Sequence, residues 1–291
     1  MTDILIEKNI VYSTAEKDLL TADVYRPSKG EDLPAVLLIH GGAYQVGSKE
    51  MYSEWGPMLA EEGFVVMAIN YRLATKNKPS WPGVVDDVYH ALNWLVSKAN
   101  EWNINPLRIG IIGDSAGAHL GSLLAFKAAS HPSIRIGACV GVYGLYNLKE
   151  EGSERLNQII KQLLGKAYGE DPNLYHDVSP IDYIDEMEFS PTFDTSFLVL
   201  WGGEDNIVPP SQSENFVKRL QENEINVQTV VFPDQGHFWL NLTPGLKGGS
   251  LSDYPNIEAV PKILKFLKET LCLPQVSNYS KKHIRRLVHL Q

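Results

Sequence analysis

Cysteine is nearly absent. The 291 residues contain two, Cys139 and Cys272, far apart and in no C-x-x-C pair. A disulfide framework and a cysteine-based metal knuckle are therefore excluded as organisers of the fold. No two of the eight histidines have H-x-x-x-H spacing, so no metal is expected. Positive charge is in deficit as well: 26 Lys and Arg against 35 Asp and Glu leave a formal charge of −9, which argues against a nucleic-acid surface. No apolar run approaches the ~18 residues of a membrane span. The start, Met1 to Glu7, has neither a basic n-region nor an apolar h-region. The expected location is the cytoplasm, with reduced thiols and no stable membrane association. Neither G-x-G-x-x-G nor a P-loop occurs, so no nucleotide cofactor is expected.

What is present is apolar strand material cut by short polar breaks. With 44% hydrophobic residues the chain can bury a large core without staples. Ile4 to Tyr12 and Leu19 to Tyr25 read as an entry hairpin across Ala15–Asp18. Ala35 to His40, Phe64 to Asn70, Ile109 to Ile112, Ile136 to Tyr143, Phe197 to Trp201 and Val227 to Phe232 read as further strands. Helices are expected near Tyr52 to Glu62, over Val84 to Asn100 and over Ala116 to Ala129. Such alternation predicts an α/β fold, a mainly parallel central sheet with helices on both faces, forming one domain over 1–271. Its ligand site belongs beyond the carboxyl ends of the strands.

The most informative run is Gly113-Asp114-Ser115-Ala116-Gly117, between an apolar strand and a helix. A chain that turns from strand to helix in so few residues bends sharply, and flanking glycines permit the bend and close packing. The serine hydroxyl is then held at the tip of the sheet. The next backbone N–H stands at a helix N-terminus, where negative charge is favoured. The second informative run is His40-Gly41-Gly42-Ala43-Tyr44, directly after the strand Ala35–Ile39. Consecutive glycines allow successive N–H groups to line an anion-binding concavity.

H-G-G-A-Y followed by G-D-S-A-G resembles the α/β-hydrolase superfamily, in particular its hormone-sensitive-lipase-like and carboxylesterase-like branch. The resemblance covers most of the chain. Asn70-Tyr71-Arg72-Leu73-Ala74 is similar to the family's Y-R-L-A segment, and Trp81-Pro82 through Leu95 to the helix after it. Thr75 and Lys76 depart from the usual Pro-Glu, and Ala43 replaces a third glycine while keeping the backbone donor.

The resemblance implies a Ser-acid-His order for the catalytic triad. Ser115 is the implied nucleophile. Asp205, in Gly202-Gly203-Glu204-Asp205-Asn206-Ile207-Val208-Pro209, matches the family's acid, with Glu204 as its rival one residue off. His237, after the last strand, is the implied base. Gly42, Ala43 and Ala116 would supply the oxyanion-hole N–H groups, with His40 bracing the loop. The expected activity is hydrolysis of small or aryl carboxylic esters without a cofactor. The alternatives are a formamidase-like amidase or peptidase with the same triad, and a non-catalytic binding protein on the hydrolase fold.

Residues 144–193 do not fit the alternation. Leu156, Ile159, Ile160, Leu163 and Leu164 recur at helical spacing, and Asp171-Pro172 and Ser179-Pro180 add turns. This segment is expected to form a small inserted lid or an extra packing helix. Tyr44, Trp81, Tyr143 and Phe238 lie in or near the motif loops and are expected to line the substrate pocket. Residues 272–291 form a basic tail, with Lys281, Lys282, Arg285 and Arg286.

Overall fold

The computed structural model describes residues 2–150, 152–187, 193–241 and 249–272. Eight strands make one sheet in the order β1-β2-β4-β3-β5-β6-β7-β8: β1 Ile4–Ala15, β2 Asp18–Pro27, β3 Leu33–Ile39, β4 Val65–Ile69, β5 Ile104–Asp114, β6 Ile136–Val142, β7 Ser196–Gly202 and β8 Val227–Phe232. β1 and β2 join antiparallel, and every pairing from β4 onward is parallel. Expected strands and observed strands agree to within a few residues. The hairpin turns on Glu16-Lys17, with Glu16 at φ 56°.

Because side chains alternate across a strand, the apolar run of β3 serves two cores at once. Ala35, Leu37 and Ile39 face one, Val36 and Leu38 the other. The first core is covered by α2 (Gly83–Ser97), α4 (Ala116–Lys127) and α8 (Pro210–Glu222). The second is covered by α1 (Trp55–Glu61) and α9 (Asn256–Leu271). The expected helix over 84–100 breaks at Lys98, and a short α3 (Ala99–Trp102) ends on left-handed Asn103. The Y-R-L-A segment is fixed to α2 by Arg72, which donates to both oxygens of buried Asp87 at 2.7 and 2.6 Å. No helix among the described residues is long and apolar enough to cross a membrane.

The insertion between β6 and β7 contains α5 (Glu154–Leu164), α6 (Pro172–Asp177) and α7 (Ile184–Met187). Its apolar side chains do not form a separate layer. Leu156, Ile160, Leu163, Leu164, Tyr175, Val178 and Ile184 are buried in the same core as α2 and α4. Polar ties reinforce this seating: Trp81 N donates to Leu163 O at 3.1 Å, and His119 Nε2–H, on α4, donates to Val178 O at 2.7 Å. The basic tail, past Cys272, lies outside the described residues.

If the insertion is part of the main core, truncating Leu163, which is fully buried, should cost what a core truncation costs. Leu163→Ala is expected to lower the unfolding free energy by about 3 kcal/mol in urea titration. A loss below about 1 kcal/mol would indicate a segment that lies on the surface.

Candidate active site

One residue separates β5 from α4. Ser115 makes that turn at φ 51°, ψ −117°, a conformation unfavourable to any side chain. The turn is tight enough to require its glycines: a Cβ at Gly113 would lie 2.3 Å from Gly117 O, and one at Gly117 would lie 1.9 Å from Ile39 O. Ser115 N donates to Val142 O at 2.9 Å, which pins the elbow to β6. Ala116 is the first helical residue, so its N–H has no acceptor within α4.

The ends of β7 and β8 bring the other two side chains. After β7, Ile207 N and Val208 N each donate to Asp205 Oδ1 at 2.9 Å. This leaves Oδ2 for His237 Nδ1, at 2.6 Å. His237 Nε2 lies 3.0 Å from Ser115 Oγ. An imidazole that donates from Nδ1 to a carboxylate presents its Nε2 lone pair to the hydroxyl. The Asp205 and His237 side chains are each 1% exposed. Glu204, the rival carboxylate, is an exposed residue.

The histidine loop is held from below. Tyr143, at the end of β6, packs against the imidazole with ring centroids 4.4 Å apart. Its hydroxyl accepts from Leu240 N at 3.1 Å. Asn256 Nδ2 donates to Trp239 O at 2.9 Å and to Leu240 O at 3.0 Å.

The loop after β3 has three consecutive residues at positive φ: Gly42 (108°), Ala43 (56°) and Tyr44 (61°). Gln45 N and Val46 N both donate to Gly42 O at 3.0 Å. A Cβ at Gly42 would fall 2.1 Å from Val46 O, so only glycine fits. His40 braces this loop. Its Nδ1–H donates to Gly41 O at 2.6 Å, and its ring stacks on Tyr71, whose hydroxyl donates to His40 O at 2.7 Å. Burial pushes the His40 pKa down to about 4, so the brace is a neutral imidazole.

Asp114 ties the loops together. Its Oδ1 accepts from Gly41 N at 3.0 Å, from Tyr52 Oη at 2.8 Å and from Asn241 Nδ2 at 3.2 Å. The three donors come from the glycine loop, the turn before α1 and the histidine loop. Burial pushes this carboxyl up, against those hydrogen bonds. No motif in the sequence marks Asp114, Tyr52 and Asn241 as partners. The one available signal is that Asp114 is a carboxylate beside the elbow serine, which a buried position must satisfy.

The expected pocket aromatics divide. Tyr44 and Tyr143 lie on loops of the site but are buried, at 0% and 1% exposure, so they support the loops and face no open pocket. Tyr44 packs edge-on against His119, which is itself buried, bonded through Nε2–H to Val178 O at 2.7 Å, and pushed down to about 4 by desolvation. Trp81 is half-buried against the core, and Phe238 is 50% exposed.

Removing Asp114 should expose this dependence. Asp114→Ala leaves three donors without their acceptor and is expected to lower stability by about 3 kcal/mol, with Asp114→Asn costing less. The raised carboxyl also has a signature in pH. The native state holds its proton more tightly than the unfolded chain, so its contribution is full below about pH 4 and is lost as pH rises through the shifted value. Urea titrations across that range should be flatter for Asp114→Asn than for the parent.

A BD-FAE family model matches residues 22–220. The probable carboxylic ester hydrolase LipM of Mycobacterium tuberculosis (strain ATCC 25618 / H37Rv) is 31% identical over 217 residues, 69% of this chain and 47% of the relative. The probable isoprenylcysteine alpha-carbonyl methylesterase ICMEL2 of Arabidopsis thaliana is 26% identical over 256 residues, 84% of this chain and 60% of the relative. The chain thus spans about half the length of the curated relatives it matches. Among solved structures, esterase B from Lactobacillus rhamnosis (HN001) superposes with a TM-score of 0.74 at 19% identity, over 96% of this chain and 89% of that one. The hyperthermophilic esterase from the archaeon Pyrobaculum calidifontis gives 0.72 at 24% identity, over 91% and 85%. At these identities the structures establish a shared fold, and the model match over more than half the residues establishes the family: the chain has the α/β-hydrolase fold and belongs to the BD-FAE family.

Proposed function

We propose that this protein is a serine carboxylesterase acting on small or aryl esters, with Ser115, His237 and Asp205 as its triad. The observation that carries the reading is the unbroken hydrogen-bonded chain from Asp205 through His237 to Ser115, ending on a strained elbow. Backbone strain concentrates at functional sites because only there does a gain in function offset its cost.

In this reading His237 Nε2 takes the Ser115 proton as Oγ attacks the ester carbonyl carbon. The electron pair of the carbonyl moves onto oxygen, to which the N–H groups of Gly42, Ala43 and Ala116 donate hydrogen bonds. Asp205 holds the imidazole tautomer and stabilises the imidazolium. Collapse of the intermediate breaks the bond to the alcohol oxygen, which leaves with the proton from His237. The same imidazole then draws a proton from water as the hydroxide attacks the acyl carbon, and it returns that proton to Ser115 Oγ as the acyl–oxygen bond breaks, which releases the acid and restores Ser115. The oxyanion donors are already oriented by the left-handed loop, so little reorganisation is needed as charge develops. We take residues 1–271 as one domain, with the insertion at 144–193 shaping the rim of the site.

Substitution tests the roles. Ser115→Ala is expected to abolish ester turnover with the fold retained. Asp205→Asn is expected to lower kcat about 10⁴-fold, the scale for losing the orienting acid of a serine triad. Glu204→Gln should have a mild effect, and a reversal of the two would move the acid by one residue.

The insertion carries Lys149, Glu150, Glu154, Arg155, Lys161 and Lys166 among its apolar positions, unlike an apolar interfacial lid. Hydrolysis of tributyrin should therefore saturate smoothly through its solubility limit. A jump in rate once droplets form would identify a lipase.

A further inference from the structure

Two large apolar side chains stand exposed on the loops of the site, Phe238 beside His237 and Val46 in the glycine loop. Phe238 follows His237 directly. It is 50% exposed and sits at φ 65°, a left-handed conformation that is an outlier for a bulky residue. Its ring stands perpendicular to the imidazole, with centroids 4.4 Å apart. Glycine or asparagine would relieve the strain, and folding gains little from a phenyl ring half in water. Val46 closes the glycine loop and is 62% exposed. Its backbone N–H is spent on Gly42 O, and its Cγ2 lies over Gly42, 3.2 Å from where a Cβ there would be. Both side chains are thus fixed by backbone geometry, one beside the base and one beside the anion-binding loop.

We infer that Phe238 and Val46 are the specificity residues for the two halves of the ester, Phe238 for the alcohol and Val46 for the acyl group. This rests on the esterase reading above. The assignment of sides follows from the chemistry at the carbonyl carbon. In the tetrahedral intermediate that carbon carries Oγ, the oxyanion, the alcohol oxygen and the acyl chain. His237 Nε2 must reach the alcohol oxygen to protonate it, so the alcohol's carbon chain departs past the imidazole and over Phe238. The oxyanion points into the Gly42–Ala43 loop. The acyl chain is directed away from the base, and we assign it to the outer face of the glycine loop, which Val46 closes. Apolar contact at each point favours esters with hydrocarbon on both sides of the carboxyl group over esters of charged or polyhydroxylated partners.

Three soluble substrates separate the halves: ethyl acetate, hexyl acetate with a lengthened alcohol, and ethyl hexanoate with a lengthened acyl chain. The reading is kcat/KM of each long ester relative to ethyl acetate, measured by acid release below the solubility limits. Phe238→Ala is expected to lower the hexyl acetate ratio five- to tenfold, the scale of one or two methylene groups left unburied, while the ethyl hexanoate ratio holds. Val46→Ser is expected to do the reverse. Both positions are exposed, so both variants should keep the parent's urea midpoint within experimental error. Equal movement of both ratios in either variant, or movement of neither, overturns the assignment while leaving the esterase reading in place. Failure of the parent enzyme to cleave any of the three esters overturns the esterase reading, and the assignment falls with it.

Discussion

The architecture depends on a single-residue turn. β5 runs to Asp114 and α4 starts at Ala116, so Ser115 alone reverses the chain, at a φ and ψ that cost on the order of 1–3 kcal/mol. The conformation persists because its surroundings over-determine it. Ser115 N is bonded to β6, the turn closes back from His119 N to Ser115 O at 3.2 Å, and Asp114 is locked by three donors. Asp114 matters beyond the elbow, since the donors it gathers come from the glycine loop and the histidine loop. A displacement of either loop would leave a buried carboxylate with fewer partners, so the elbow, the loop of N–H groups and the imidazole are held in one register.

The parallel sheet determines why these pieces meet. β3, β5, β6 and β7 end side by side, and their loops carry Gly42, Ser115, Tyr143 and Asp205 in turn. Local chain geometry then aims each group. Two backbone N–H groups occupy one oxygen of Asp205 and leave the other for His237, and Tyr143 supports the imidazole from behind. The neutral His40 brace and the left-handed residues after it fix the third side. The polar groups are therefore oriented mainly by backbone and by buried partners rather than by each other.

The alternation of apolar runs, the strand–Gly–Ser–Gly–helix sequence and the G-x-x-D-x-x-V-P segment were legible because each is a local pattern. The strands are recovered closely, and Ser115, Asp205 and His237 fall together. What was not legible is long-range. Asp114 takes donors from positions 41, 52 and 241, and no spacing in the sequence announces that convergence. The α8 and α9 helices are weakly marked in the sequence, α9 because Pro261 interrupts its pattern and α8 because Phe216, Val217 and Leu220 are sparse among polar residues. The aromatics near the motifs are expected to line a pocket, yet Tyr44 and Tyr143 are spent on supporting loops. Composition cannot separate those two uses, since a ring that packs under a loop and one that faces a ligand have the same neighbours in sequence.

The central claim is that Ser115 becomes covalently acylated during turnover. Rapid acid quench of the enzyme mixed with p-nitrophenyl acetate, followed by peptide mass mapping, observes that species directly. The account predicts one acetyl group per chain, on the peptide carrying Ser115, appearing with the first equivalent of p-nitrophenol and lost on incubation. Turnover of the ester with Ser115 unmodified at every time point, or with the acetyl group on another residue, would contradict it.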